Sequence, residues 1–204
     1  SAASDVYKRQ AYEQYKAQRE ETPEAIRLSV PIIKDIIRAY RIPILEVAGY
    51  EADDVIGTLA TEAGRQGITT YMMTPDKDYG QLVSDNVFMY RPKYGDKEFE
   101  VMGIEQIKAK FDIQSPAQVI DMLGLMGDSS DNIPGCPGVG EKTAQKLIAQ
   151  YGSIENLLSH TDELKGALKT KVETNRKMIE FSKFLATIKI LSLIHISEPT
   201  RLRC

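Results

Sequence analysis

Seven acidic residues in three short groups are the first places in this chain where chemistry could happen. Glu51, Asp53 and Asp54 open a helical pattern; Asp76 and Asp78 flank Lys77 directly after a β-rich run; Asp128 and Asp131 bracket two serines at the end of an apolar helical stretch. Each group alone has an ordinary explanation. Acidic side chains in a helix's first turn complement its dipole, and aspartates at turn corners are common. Three such groups, each at the end of a regular element, point further. Carboxylates gathered closely cannot all stay ionised without cations between them, and hard divalent ions such as Mg²⁺ take oxygen ligands. Two such ions about 4 Å apart would polarise both sides of a phosphodiester.

The stretch GLMGDSSDNIPGCPGVGEKTAQKL, from Gly124 to Leu147, joins the third acidic group to a glycine turn that opens a helix. Glycines let the backbone approach a phosphate, and a helix N-terminus aims free N–H groups at it. The pattern is that of a helix-hairpin-helix, which grips a nucleic-acid backbone without reading its sequence. Gly138, Val139, Gly140, Lys142, Thr143 and Lys146 are its candidate DNA contacts. A Walker A loop is excluded because Gly140-Glu141-Lys142-Thr143 breaks the required Gly-Lys pair. A haloacid-dehalogenase-type phosphatase also fits poorly: Tyr79 and Gly80 follow Asp78, and Gly127-Asp128 comes after a helix rather than a strand.

The elements that must position these groups read as α/β first and helical later. Tyr12, Tyr15, Lys16 and Arg19 share helix-like spacing in a charged segment. Thr22-Pro23-Glu24 predicts a helix start with Thr22 as its cap. Ile26, Val30, Ile33, Ile37 and Tyr40 predict a buried stripe, with a kink at Pro31 or a restart capped by Ser29. Ile42–Val47, Ile68–Thr74, Asn86–Tyr90 and Glu98–Met102 read as strands, the last two joined by a turn at Lys93–Asp96. Helices are predicted over 52–65, 104–111, 116–126 and 141–151, with shorter pieces to Leu185. The fold class is therefore α/β with a largely parallel sheet, followed by a helical subdomain.

GYEADDVIGTLA, TPDKDYGQLVSD, YKAQREETPE and the Gly124–Leu147 stretch together resemble the 5′-nuclease (5′–3′ exonuclease) domains of the flap endonuclease superfamily, in their bacterial form. The resemblance covers about residues 11–190. It implies a PIN-like nuclease fold with a helical arch, removal of 5′ flaps and RNA primers, and Mg²⁺ or Mn²⁺ as cofactor. It places metal ligands at Glu51, Asp53, Asp54, Asp76, Asp78, Asp128 and Asp131. It puts Tyr15, Lys16 and Arg19 on the arch, the tyrosine to stack a base and the two cations, as catalytic residues, to hold the phosphate. A potassium ion on the hairpin carbonyls and a nicked, flapped or primer-bearing duplex as partner also follow, with the protein a monomer.

The resemblance has gaps. The family begins with a strand bearing an aspartate, and a later strand bears a second; neither is present here. Two metal ligands and the central strands are therefore expected to be missing, with cleavage by this chain poor or absent. The alternative is a non-catalytic fragment that binds duplex DNA through the hairpin. Residues 1–10 and 191–204 do not continue the pattern and are expected to be non-native, which leaves 11–112 as the nuclease part and 113–190 as the hairpin subdomain.

Composition constrains the class only loosely. The chain has 204 residues, 42% of them hydrophobic, and a net charge of −3, which a knot of carboxylates would explain even in a DNA binder. Ile188–Ile196 is too short to span a bilayer, no signal peptide is visible, and membrane association is not expected. Cys136 and Cys204 lack any zinc or disulfide spacing. A cytoplasmic location is the simple expectation.

Overall fold

The computed structural model describes residues 6–92 and 98–191. Its elements run α1 (Val6–Ala11), α2 (Glu24–Ala39), α3 (Ala52–Arg65), β1 (Thr70–Met73), β2 (Val87–Pro92), β3 (Phe99–Met102), α4 (Ile104–Phe111), α5 (Val119–Met126), α6 (Glu141–Tyr151), α7 (Ile154–Ser159), α8 (Gly166–Thr174) and α9 (Arg176–Ala186), with short 3₁₀ turns at Lys77–Leu82, Pro116–Gln118 and Thr161–Glu163. The turn expected at Lys93–Asp96 lies outside the described residues.

The sheet has the order β1-β2-β3 and is mixed: β1 and β2 are parallel, β2 and β3 antiparallel. Register aligns Met72 with Met89 and Met89 with Met102. That row of thioethers is 0–3% exposed and forms the sheet's contribution to the core. Period-2 alternation sends the aromatics to the opposite face. There Tyr71 stacks on Phe88 and Tyr90 on Phe99, with ring centroids 5.6 and 4.6 Å apart, and Tyr71 and Phe99 are left about half exposed.

The helical half is built around α5. Val119, Met122, Leu123 and Leu125 are fully buried, wedged between α6 and α9. Each large apolar side chain withdrawn from water in this way contributes about 2 kcal/mol. The one charged residue of α5 is satisfied in place: Asp121 accepts from the Ile154 amide at the start of α7 (2.9 Å) and pairs with Lys183 of α9 (2.6 Å).

Four expectations need correction. The stripe on α2 is not buried: Ile26, Val30, Ile33 and Tyr40 are 41–76% exposed, because no described element packs on that face. Pro31 neither stops α2 nor forces a restart, and Ser29 bonds back to the Ala25 carbonyl instead of capping. Pro23, not Thr22, holds the N-cap position. Ile42–Val47 forms no strand; a strand exists through its partner's hydrogen bonds, and no described strand pairs with it. Among the described residues no helix is long and apolar enough to cross a membrane.

Candidate functional site

The third acidic group sits in a pinched loop after α5. Asp128 and Ile133 exchange both backbone hydrogen bonds, at 2.9 and 2.8 Å. The pinch requires glycine on both sides. Gly127 and Gly135 have φ of +76° and +63°; a Cβ on Gly127 would lie 2.5 Å from the Ile133 carbonyl oxygen, and one on Gly135 would collide with the Gly127 amide. The Cys136 amide then donates to the Leu125 carbonyl at 2.7 Å and folds the chain back over α5.

Inside this loop Asp128 accepts from the Ser130 amide and hydroxyl (2.8 and 2.6 Å), the ordinary behaviour of a turn aspartate, while its other oxygen meets the Lys77 ammonium at 2.7 Å. Burial works to raise its pKa, but Lys77 and Ser130 outweigh it and hold the carboxyl below its usual range. Asp131 pairs with Arg19 at 2.5 Å and with Lys16 at 3.6 Å. Lys16 also makes a closer ion pair with Glu51, which Lys8 meets from the other side at 3.0 Å. Burial acts to lower the Lys16 pKa, and the Glu51 contact more than offsets it, so the ammonium is held charged.

Asp76 and Asp78 behave differently from each other. Asp76 is exposed and caps the 3₁₀ turn by accepting the Asp78 amide at 3.0 Å. Asp78 turns inward, and its buried Oδ1 has no hydrogen-bond partner. Burial, reinforced by the charges of Asp76, Asp128 and Asp131, pushes its pKa up to about 7. Four carboxylates from two loops therefore share one electrostatic field.

The first group is divided between site and scaffold. Glu51, 3% exposed, faces the lysines. Asp53 accepts from the Tyr79 hydroxyl at 2.7 Å, and burial raises its pKa. Asp54 is fully buried and holds the framework together: it accepts from the Glu51 amide (3.2 Å), the Tyr7 hydroxyl (3.2 Å) and the Lys189 amide (2.8 Å).

The segment expected to form the arch corrects the sequence reading at two residues. Tyr15 is 1% exposed and its hydroxyl donates to Glu51 and Asp131, so its ring is not offered for base stacking. Lys16, 5% exposed, lies among the carboxylates and not on an outer surface. Its amide bonds the Asp131 carbonyl at 3.0 Å with φ at +55°, a left-handed conformation rare for a side-chain-bearing residue. Arg19 keeps about half of its side chain exposed.

Sequence reasoning missed Lys8, Lys77 and Tyr79. Lys77 and Tyr79 were visible as the neighbours of Asp78. Lys8 lies in residues 1–10, which do not continue the family pattern, yet α1 brings it to Glu51. Among the described residues, no three His, Cys, Asp or Glu side chains form a group ready to hold a metal ion. The donor chemistry nonetheless suits a hard divalent cation: oxygen ligands only, one of them buried without a partner at Asp78.

The hairpin follows the pinched loop directly. Gly138 (φ +75°) makes the turn, Gly140 caps α6, and Lys142 and Lys146 stand exposed on its first two turns. Val139 corrects one expectation: the residue is 4% exposed and anchors the turn to the core, so its side chain is not offered to a duplex. Ala144 is fully buried where the helices meet.

A mixed sheet with carboxylates at one end, joined to a helical half with a glycine hairpin beside the acidic loop, defines a nuclease-type architecture. The chain belongs to the 5′-3′ exonuclease family: residues 2–112 match its N-terminal resolvase-like domain and residues 114–200 its C-terminal SAM fold. It is 42% identical over 189 residues to DNA polymerase I of Bacillus caldotenax (92% of this chain, 21% of that protein) and 42% identical over 197 residues to DNA polymerase I of Bacillus subtilis (96% and 22%). The chain thus spans about a fifth of the length of these relatives.

Its fold is shared with the zinc-bound 5′-exonuclease of bacteriophage T5 (TM-score 0.73, 20% identity, 89% of this chain and 69% of that one). It is shared equally with the T5 D15 flap endonuclease in a pseudo-enzyme–product complex with DNA and metal ions (TM-score 0.74, 19% identity, 90% and 70%). The PIN-like layer plus helical SAM-fold subdomain is therefore this chain's architecture.

Proposed function

We propose that this chain is the 5′-nuclease part of a DNA-polymerase-I-type protein, acting on phosphodiester bonds of flapped, nicked or primer-bearing duplexes with Mg²⁺ or Mn²⁺. Residues 11–112 carry Glu51, Asp53, Asp76 and Asp78, and 113–190 add Asp128 and Asp131 together with the duplex grip. The observation that carries the reading is Asp78: a buried carboxyl with an unpartnered oxygen, in the field of Asp76, Asp128 and Asp131, one short loop from a phosphate-binding hairpin. Glu51, Asp53, Asp76, Asp78, Asp128 and Asp131 would hold the divalent ions, whose role is to activate water and stabilise the leaving oxygen. Arg19, exposed and paired to Asp131, is placed to pass between carboxylate and phosphate. Asp54 serves the framework that holds Glu51 in place.

A second reading, duplex binding with little cutting, is favoured by the lysines. Lys8 and Lys16 neutralise Glu51, and Lys77 neutralises Asp128, so cations must compete with ammonium groups for these oxygens. We expect this chain to bind a 5′-flap duplex and cleave it slowly. Incubation of a labelled flap with the chain in Mg²⁺, Mn²⁺ or EDTA distinguishes the two. Metal-dependent product that disappears in Asp78→Asn and Asp131→Asn supports the nuclease. Binding without product at high metal supports the second reading, and neither binding nor product sinks both.

A further inference from the structure

The resemblance led to the expectation of a potassium ion on the hairpin carbonyls, and the side chains at the turn do not fit one. The Gly138 carbonyl already accepts from the Lys171 ammonium at 3.4 Å. The end of that side chain lies across the turn: a Cβ on Gly138 would be 2.5 Å from Nζ and 3.2 Å from Cε. A second monovalent cation on the same oxygen would sit against the Lys171 ammonium, a like charge and unfavourable at any dielectric.

The placement of Lys171 is built from below. Val172 of α8 is fully buried, the Cys136 thiol contacts the Lys171 carbonyl at 3.8 Å, and Asn175 donates to the same carbonyl at 2.8 Å. Residue 171 is therefore docked on the hairpin by its backbone while its side chain reaches forward over Gly138. Among the described residues it makes no ion pair with any carboxylate. An ammonium has three donors; one goes to Gly138, leaving two for an anion approaching the turn beside Lys142 and Lys146.

We infer that Lys171 is the resident cation of the hairpin, a DNA-phosphate contact supplied by α8 in the place expected of a free potassium ion. The inference rests on the DNA-binding reading above. The consequence is a duplex grip indifferent to which monovalent ion is present.

The test is fluorescence anisotropy of a labelled flap duplex with the whole chain, in Ca²⁺ to suppress cleavage, titrated in KCl and in NaCl. The unaltered chain should give the same Kd in both salts, within twofold at equal ionic strength. Lys171→Met should flatten the slope of log Kd against log salt by about 0.9, one phosphate's worth, while Lys171→Arg retains it. Circular dichroism of each variant checks that the fold is kept. A several-fold preference for KCl by the unaltered chain, or an unchanged slope in a folded Lys171→Met, overturns the inference while leaving DNA binding intact. No binding by the unaltered chain overturns the DNA-binding reading and the inference together.

Discussion

Lys16 and Asp131, far apart in sequence, are joined twice: the Lys16 amide donates to the Asp131 carbonyl at 3.0 Å, and its ammonium lies 3.6 Å from the Asp131 carboxylate. Through Glu51 the same ammonium reaches the start of α3. One side chain thus couples the segment before α2, the nuclease layer and the loop of the helical half.

This coupling predicts an unequal cost for two neighbouring cations. Lys16→Met should destabilise the chain by about 2 kcal/mol, since Lys8 only partly compensates a buried Glu51. Arg19→Ala, at a half-exposed pair, should cost less than about 1 kcal/mol. Urea midpoints at constant m-value provide the comparison; equal costs would contradict the arrangement.

Asp78 predicts a pH trend whose sign follows from linkage. Its folded pKa of about 7 is above the unfolded value near 4. Between these values the folded state holds more protons, so stability must fall as pH rises through that window and level off above it. Asp78→Asn should remove a decline on the order of 2 kcal/mol, leaving the variant more stable at pH 8 and little different at pH 4. Chemical denaturation across pH 4–8 measures it, and parallel curves for the two proteins would refute it.

If the same carboxyls hold divalent ions, Mg²⁺ at pH 8 should relieve their repulsion. The melting temperature of the unaltered chain should rise by about 4 °C over its value in EDTA. Asp78→Asn should show little of that rise. A rise of equal size in both proteins would place the ion elsewhere.

The glycine pinch predicts a backbone effect without any change of charge. Gly135→Ala forces a Cβ into the Gly127 amide at a left-handed φ. The expected loss is at least about 3 kcal/mol, read as poor soluble yield or a lowered denaturation midpoint. Gly152→Ala has open space around its Cβ, so it suffers only the φ penalty and should cost about 1 kcal/mol.

At the hairpin, Lys142→Ala combined with Lys146→Ala should reduce the salt dependence of duplex binding by about two phosphates' worth. An unchanged slope would remove these lysines from the interface.

Helices α3, α4 and α6 carried their limits in local chemistry. Gly67 after α3, and Gly103 and Gly140 before α4 and α6, mark ends that neighbours along the chain decide. The failures were tertiary. The α2 stripe has helical spacing whether or not anything covers it, and Ile42–Val47 has strand chemistry without a pairing edge. Tyr15 illustrates the same limit within the site. An aromatic beside two cations suggests a stacking surface, and only its hydroxyl's meeting with Glu51 and Asp131 shows the ring facing inward. The raised pKa of Asp78 also depends on the charges of the distant Asp128 and Asp131, which no local pattern reveals.

The methionine row across the sheet makes the fold its own chemical clock. Met72 is 3% exposed and the adjacent Met73 is 74% exposed, on opposite faces of one strand. A mild oxidant will convert Met73 to its sulfoxide at once, whereas Met72, Met89 and Met102 must wait for the strands to part. Mass spectrometry of the peptide carrying residues 72 and 73 would therefore report surface chemistry and sheet opening side by side, from two sulfur atoms one residue apart.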